Sequence, residues 1–386
     1  MQNFTYSYPT RVHFGRDTLS EALGAEMDAL GGTVVVAFGS SAEKTGLLAR
    51  VSGQLAAAGK LVVPWGGIMS NPTYAKVQEG ARLARSEKAD SILALGGGSV
   101  IDCCKIVAVQ ALAEDDIWEL EFSRGQLPAD GLMLGAVVTA SGTGAEMNAG
   151  AVITNETLGV KTGVFGVAPA FAVLDPELTA TVPRMQVLSG AFDSLSHAME
   201  TYLGASDDAN PSDDIALAVM ANIVANVRTL LADIDDMRVR GNLMWDSAMA
   251  ENGILKLGRA TDFQAHQIEH QLGALTDCNH GQGLAVIHPA YYRRVAAAAP
   301  AKLARLGRVV FGVAEPDDTH AAQLAVDALA AFIVECGLPT RLGELRSREK
   351  ITPELLRRVA DTTNLIKSGP VQLSAGDIYE LLLECL

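Results

Sequence analysis

The feature that most constrains this chain is a change of hydrophobic rhythm part-way along it. In the first half, short apolar runs recur: TVVVAF (Thr33–Phe38), LVVPW (Leu61–Trp65), SILAL (Ser91–Leu95), MLGAVVTA (Met133–Ala140) and FAVLD (Phe171–Asp175). The runs are continuous rather than alternating, the pattern of strands covered on both faces. Amphipathic stretches such as NPTYAKVQEGARLARSEK lie between them. That alternation predicts a parallel α/β sheet. After LDPELTATVP (Leu174–Pro183) the strand signal fades, and segments such as RMQVLSGAFDSLSHAMETYLG and FQAHQIEHQLGAL space their apolar residues by three and four. The expected fold is α/β plus all-α. A Rossmann-like parallel α/β domain over residues 1–182 precedes an all-helical domain over residues 183–386.

Composition narrows the function. Of 386 residues, 49% are hydrophobic and 19% charged, so a large core forms and disorder is not expected. The net charge of −15 repels phosphate backbones, which argues against nucleic acid as a partner. No run of eighteen apolar residues is present, so no membrane span is expected. The opening MQNFTYSYPTRVHFG lacks a basic segment followed by an apolar one, unlike a signal peptide. Five cysteines, none in a C-x-x-C pair, fit a reduced cytoplasmic setting rather than a disulfide framework or structural zinc.

SILALGGGSVIDCCK passes from a strand into a helix. Gly96, Gly97 and Gly98 remove side chains where a ligand could approach the backbone. Ser99 has N-cap character, and Ser99-x-x-Asp102 has capping-box spacing. Free amides and the helix dipole there favour an anion such as a pyrophosphate. A tight strand–helix turn without a ligand is the alternative. The first strong strand ends in Gly39, Ser40 and Ser41, with Lys44 close by. No acid stands there to hold a ribose 2′-hydroxyl, and two hydroxyls could bond a 2′-phosphate. NADP is therefore expected in preference to NAD.

Four of the seven histidines fall between Thr261 and Pro289. HQIEH (His266–His270) fits the H-x-x-E-H pattern of some zinc proteases. That reading leaves the glycine-rich half and the pair Asp193-x-x-x-His197 unexplained. Asp193 and His197, four apart, share a helical face. A solvated Asp–His pair is the bland alternative. With His266 and His280 they form one oxygen and three nitrogens, a set suited to Zn²⁺ or Fe²⁺ with positions left for substrate. Gly281 and Gly283 around His280 read as a turn. His288, before Pro289, reads as structural.

Several long motifs then share one order along nearly the whole chain. These are YPTRVHFGRDTL, GGIMSNP, GGGSVIDCCK, TASGTGAEMNAGAVIT, LDPELTATVP, GAFDSLSHAMETY, GNLMWDSAMAENG and HQIEHQLGALTDCNHGQGLAVIHP. Together they resemble the iron-containing (group III) alcohol dehydrogenases, and within them the NADPH-dependent butanol dehydrogenase/aldehyde reductase subgroup. The resemblance implies an architecture shared with dehydroquinate synthase. It implies metal ligation by Asp193, His197, His266 and His280, with His270 a non-ligand proton relay. It implies cofactor contacts at Gly39, Ser40, Ser41, Asn71, Gly97, Gly98, Ser99, Asp102, Thr139, Thr143 and Lys161. The subgroup's longer glycine turn carries a lysine pair, of which this chain keeps only Lys44.

The expected reaction is reversible, metal-dependent hydride transfer between NADP(H) and a small aldehyde or primary alcohol, in a cytoplasmic homodimer. A related polyol or sugar-phosphate dehydrogenase is the alternative, with Lys256, Arg259, Arg293 and Arg294 as candidate phosphate ligands. An H-x-x-E-H protease is a remote second.

Overall fold

The structure, a computed structural model, describes residues 2–128, 130–205 and 210–386. It divides into two compact units. One comprises Ser7–Val182 and Arg240–Ala248; the other comprises Pro183–Val239, Met249–Leu386 and the N-terminal segment up to Tyr6. Relative to a division at 182/183, two short segments change sides.

In the first unit, six parallel strands form the sheet: β1 (Arg11–Phe14), β2 (Thr33–Phe38), β3 (Leu61–Trp65), β4 (Ser91–Gly96), β5 (Met133–Val138) and β8 (Phe171–Leu174), in the order β1-β8-β5-β4-β2-β3. Helices α1 (Leu19–Glu26), α2 (Ser40–Lys44), α3 (Leu47–Ala57), α4 (Tyr74–Ser86), α5 (Gly98–Gln110) and α6 (Ile117–Arg124) connect them. Val35 and Ala37 pack with α4 and α5, whereas Val34, Val36 and Phe38 pack with α1 and α3. Covering both faces is what makes these strands continuously apolar. Each fully buried valine contributes about 1.5–3 kcal/mol.

A second, two-stranded sheet pairs β6 (Gly150–Asn155) antiparallel with β7 (Val160–Phe165). The expected series of continuous runs did not include this hairpin. Its strands alternate between buried and more exposed residues, because only one face reaches the core. Ala151, Ile153 and Val164 pack on the α5 side of the sheet.

Among its described residues, the second unit consists of helices and the loops between them, with no strand. It contains α7 (Arg184–Tyr202), α8 (Pro211–Ala232), α10 (Gln264–Thr276), α11 (His280–Ala298), α12 (Pro300–Phe311), α13 (Asp318–Glu335), α14 (Pro353–Thr362), α15 (Ala375–Glu384) and the two ends of α9 (Met237–Glu251). Every residue of α7 from Leu188 to Tyr202 is buried, so Asp193 and His197 do not lie on a solvated face. Helix α8 is long and apolar enough to cross a membrane, but half of its apolar window is buried within the unit. Its start carries a capping box at Asn210 and an Asp213–Arg259 ion pair at 2.6 Å, both nearly inaccessible to solvent.

Candidate active site

Helix α7 carries Asp193, His197 and Glu200 at i, i+4 and i+7, one stripe of a 3.6-residue helix. Helix α10 carries His266, Glu269 and His270, and α11 begins at His280. Close packing brings these helices together. A Cβ on Gly281 would lie 2.2 Å from the Ser189 carbonyl oxygen of α7, and one on Gly283 would lie 2.8 Å from Glu269 Cγ of α10. The glycines expected to form a turn instead lie in the first turns of α11, where bare backbone lets that helix approach both neighbours. Asn279 caps it by accepting from the Gln282 amide at 3.1 Å.

Three imidazole nitrogens converge on one carboxylate oxygen. Asp193 Oδ1 lies 3.7 Å from His197 Nε2, 3.7 Å from His266 Nε2 and 3.5 Å from His280 Nε2. Among the described residues, neither Asp193 Oδ1 nor His266 Nε2, both buried, has a hydrogen-bond partner. Orphaned buried polar atoms are costly unless something else satisfies them. Tetrahedral donors about 2.1 Å from a zinc ion lie about 3.4 Å apart, close to this spacing. One carboxylate and three imidazoles, with no thiolate, suit Fe²⁺ or Zn²⁺.

The electrostatics favour positive charge at the same place. Burial pushes the Asp193 carboxyl up, but His197, His280 and His266 together hold it well below the usual carboxylate range. Burial opposes charge on His266, yet Glu200 and Asp193 raise it to about 10. Burial raises Glu200, and its attraction to His266 and His288 more than reverses this. His197 is lowered, with burial outweighing the pull of Asp193 and Glu251.

The glycine-rich turn after β4 is built differently. Strand β4 ends in Gly96, and α5 begins at Gly98 with Gly97 as its N-cap. The expected cap at Ser99 is corrected: Ser99 falls within the first turn, and no side chain caps the helix. Asp102 instead accepts from the Val152 amide at 2.9 Å and lies 3.3 Å from Lys105 Nζ, joining α5 to β6. Thr143 sits against the turn, since a Cβ on Gly98 would fall 2.2 Å from its Oγ1. The Thr139 amide donates to the Gly96 carbonyl at 3.0 Å. Lys161, on β7, is buried and acts electrostatically on Asp102. Gly39 caps α2, with Ser40 and Ser41 exposed in its first turn, and Asn71 has left-handed backbone at φ 51°.

The sequence profile of the iron-containing alcohol dehydrogenases matches residues 9–176, and the C-terminal profile of the Fe-containing alcohol dehydrogenase family matches residues 187–386. The chain belongs to the iron-containing alcohol dehydrogenase family. It is 34% identical to the probable NADH-dependent butanol dehydrogenase 1 of Bacillus subtilis, over 94% of this chain and 93% of that one. It is 32% identical to the NADPH-dependent aldehyde reductase YqhD of Escherichia coli, over 100% and 97%. The crystal structure of NADH-dependent butanol dehydrogenase A from Thermotoga maritima superposes with a TM-score of 0.93 at 32% identity, covering 100% of this chain and 99% of that one. This member of the family is thus an alcohol/aldehyde oxidoreductase of the metal-dependent kind.

In this dehydrogenase, Asp193, His197, His266 and His280 come together, and the His270 ring stacks on His280 with centroids 5.5 Å apart. Glu269 does not stand free as a protease base. It is fully buried, and its Oε2 bonds His280 Nδ1. Sequence reasoning also missed Glu200, whose Oε1 lies 2.5 Å from His266 Nδ1. Its only sequence signal is the seven-residue offset from Asp193.

Proposed function

We propose that this enzyme transfers hydride reversibly between NADP(H) and a small aldehyde or primary alcohol, using one divalent metal ion, Fe²⁺ or Zn²⁺, held by Asp193, His197, His266 and His280. The observation that carries the reading is the convergence of three Nε2 atoms on Asp193 Oδ1. When bound, the metal supplies polarisation of the carbonyl oxygen and the reduced nicotinamide supplies hydride. Reduction adds hydride to carbon and a proton to oxygen, leaving the oxidised cofactor and the alcohol. His270 handles that proton. The amides of Gly97, Gly98 and Ser99 take the pyrophosphate, and Asn71, Asp102, Thr139, Thr143 and Lys161 shape the rest of the cofactor site.

The preference for NADP rests on the end of β2. Gly39, Ser40 and Ser41 offer hydroxyls and no carboxylate, and Lys44 is exposed beside them. The names of the similar enzymes include both NADH- and NADPH-dependent ones, so the choice turns on this chain's own residues. A phosphorylated substrate is disfavoured because most of the candidate cations are engaged by carboxylates. Lys256 pairs with Glu251 at 2.8 Å, Arg259 with Asp213 at 2.6 Å and Arg294 with Glu384 at 2.8 Å. We place the enzyme in the cytoplasm, since its five cysteines are buried and none forms a disulfide. We further propose a homodimer joined along β1, an edge strand of the sheet.

The test is a panel of aldehydes and alcohols assayed with both cofactors on metal-analysed protein. Turnover of butanal with NADPH, lost in His266→Ala, is the expected result. A metal-loaded His266→Ala variant that keeps most of its activity contradicts the assigned site.

A further inference from the structure

The ligand helices also carry carboxylates that belong to no ligand. Glu200 lies on α7 but bonds His266 of α10, with Oε1 2.5 Å from Nδ1. Glu269 lies on α10 but bonds His280 of α11, through Oε2 and Nδ1. Both glutamates are completely buried. Each helix therefore orients the histidine of the next one. The backbone amides of Ala265 and His266 also point at Glu200 Oε2, at 3.0 and 3.4 Å, which fixes that carboxylate in turn. Glu269 is held by the close approach of Gly283, where any Cβ would collide with its side chain.

We infer that Glu200 and Glu269 are positioning residues for metal binding, an inference that rests on the ligand set proposed above. An ionised carboxylate only accepts, so each Nδ1 carries the hydrogen and each Nε2 keeps its lone pair. Those are the two Nε2 atoms that face Asp193 Oδ1 at 3.7 and 3.5 Å. The carboxylate also makes the imidazole a stronger donor, and loss of such partners costs about 10- to 100-fold in metal affinity. His197 lacks this support, because its Nδ1 has no hydrogen-bond partner among the described residues. In this reading the glutamate of HQIEH selects a tautomer on a neighbouring helix and takes no proton from water.

The test uses the full-length protein stripped by chelation, with Zn²⁺ affinity measured by competition against a chromophoric chelator and the Co²⁺ visible spectrum recorded in parallel. Glu269→Gln keeps an acceptor without its charge, and Glu269→Met removes both. Binding about tenfold weaker for the Gln variant and about a hundredfold weaker for the Met variant, each with a changed Co²⁺ spectrum, is expected. Glu200→Gln should behave like Glu269→Gln. Binding within twofold of the unaltered protein in both Gln variants, with an unchanged spectrum, overturns the proposal. The Gln variants decide the matter if Glu269→Met does not fold. His266→Ala is run alongside: if it binds Zn²⁺ as the unaltered protein does, the ligand assignment itself fails. If only the glutamate variants bind normally, the ligand set stands and the positioning role is lost.

Discussion

The turn between β4 and α5 presents backbone, whereas the cluster on α7, α10 and α11 presents side chains. In the first, Gly96, Gly97 and Gly98 are consecutive where β4 passes into α5. In the second, the donors span Asp193 to His280 and meet only because three helices pack closely. A local backbone site tolerates changes elsewhere but is damaged by any side chain grown into it. An assembled side-chain site depends on every helix that contributes to it, and on the groups that turn each ring.

That contrast can be broken at either end. The largest effect is expected from removing a donor. Asp193→Ala should lower kcat/KM by about a thousandfold or more while leaving NADPH binding intact, checked by steady-state kinetics and cofactor fluorescence. Gly281→Ala is next, because its Cβ meets the fixed carbonyl of Ser189 at 2.2 Å. It should cost about 1–3 kcal/mol of stability and weaken metal binding, seen by denaturant titration and chelator competition. Gly98→Ala is the counterpart in the backbone site. It should raise KM for NADPH about tenfold with metal content unchanged, since its Cβ would lie 2.2 Å from Thr143 Oγ1. Gly39→Asp should shift the NADPH/NADH ratio of kcat/KM by about tenfold or more toward NADH, because a carboxylate there repels a 2′-phosphate. A change in metal content with Gly98→Ala or Gly39→Asp would break the contrast between the two regions.

The smallest effect lies at Glu26, at the end of α1 and outside both regions. Glu26, hydrogen-bonded by Arg11 at 2.6 Å and next to His13 at 2.8 Å, has its carboxyl held below the ordinary value, first by the Arg11 bond. A carboxyl depressed on folding stabilises above its unfolded value, and that stability is lost as pH falls through the folded one. Because Arg11 is largely exposed, solvent screening keeps the gain small. Denaturant titrations of Glu26→Gln should therefore differ from the unaltered protein at pH 7 and converge with it in acid.

The same contrast explains what could be read without coordinates. Continuous runs such as TVVVAF and SILAL announce strands because burial on both faces leaves no polar position. The β6–β7 hairpin escaped because half of each strand is more exposed and reads as loop. Asp193 and His197 were legible as a four-residue spacing, and His266 and His280 as part of a histidine-dense segment. Glu200 was not, and Glu269 could be read only as a helix-surface residue or one supporting a ligand, since both roles depend on which helix stands opposite. Asp102 was misread for the same reason. Its capping-box spacing was present, but the Val152 amide and Lys105, set by tertiary packing, take its oxygens.

The central claim is that the side-chain cluster holds the metal independently of the nucleotide turn. The most direct measurement is elemental analysis of anaerobically purified full-length protein, comparing the unaltered chain with Gly98→Ala and Asp193→Ala. About one divalent ion per chain in the first two, and none in Asp193→Ala, is the predicted result. Full metal content in Asp193→Ala, or none in the unaltered chain, would contradict it.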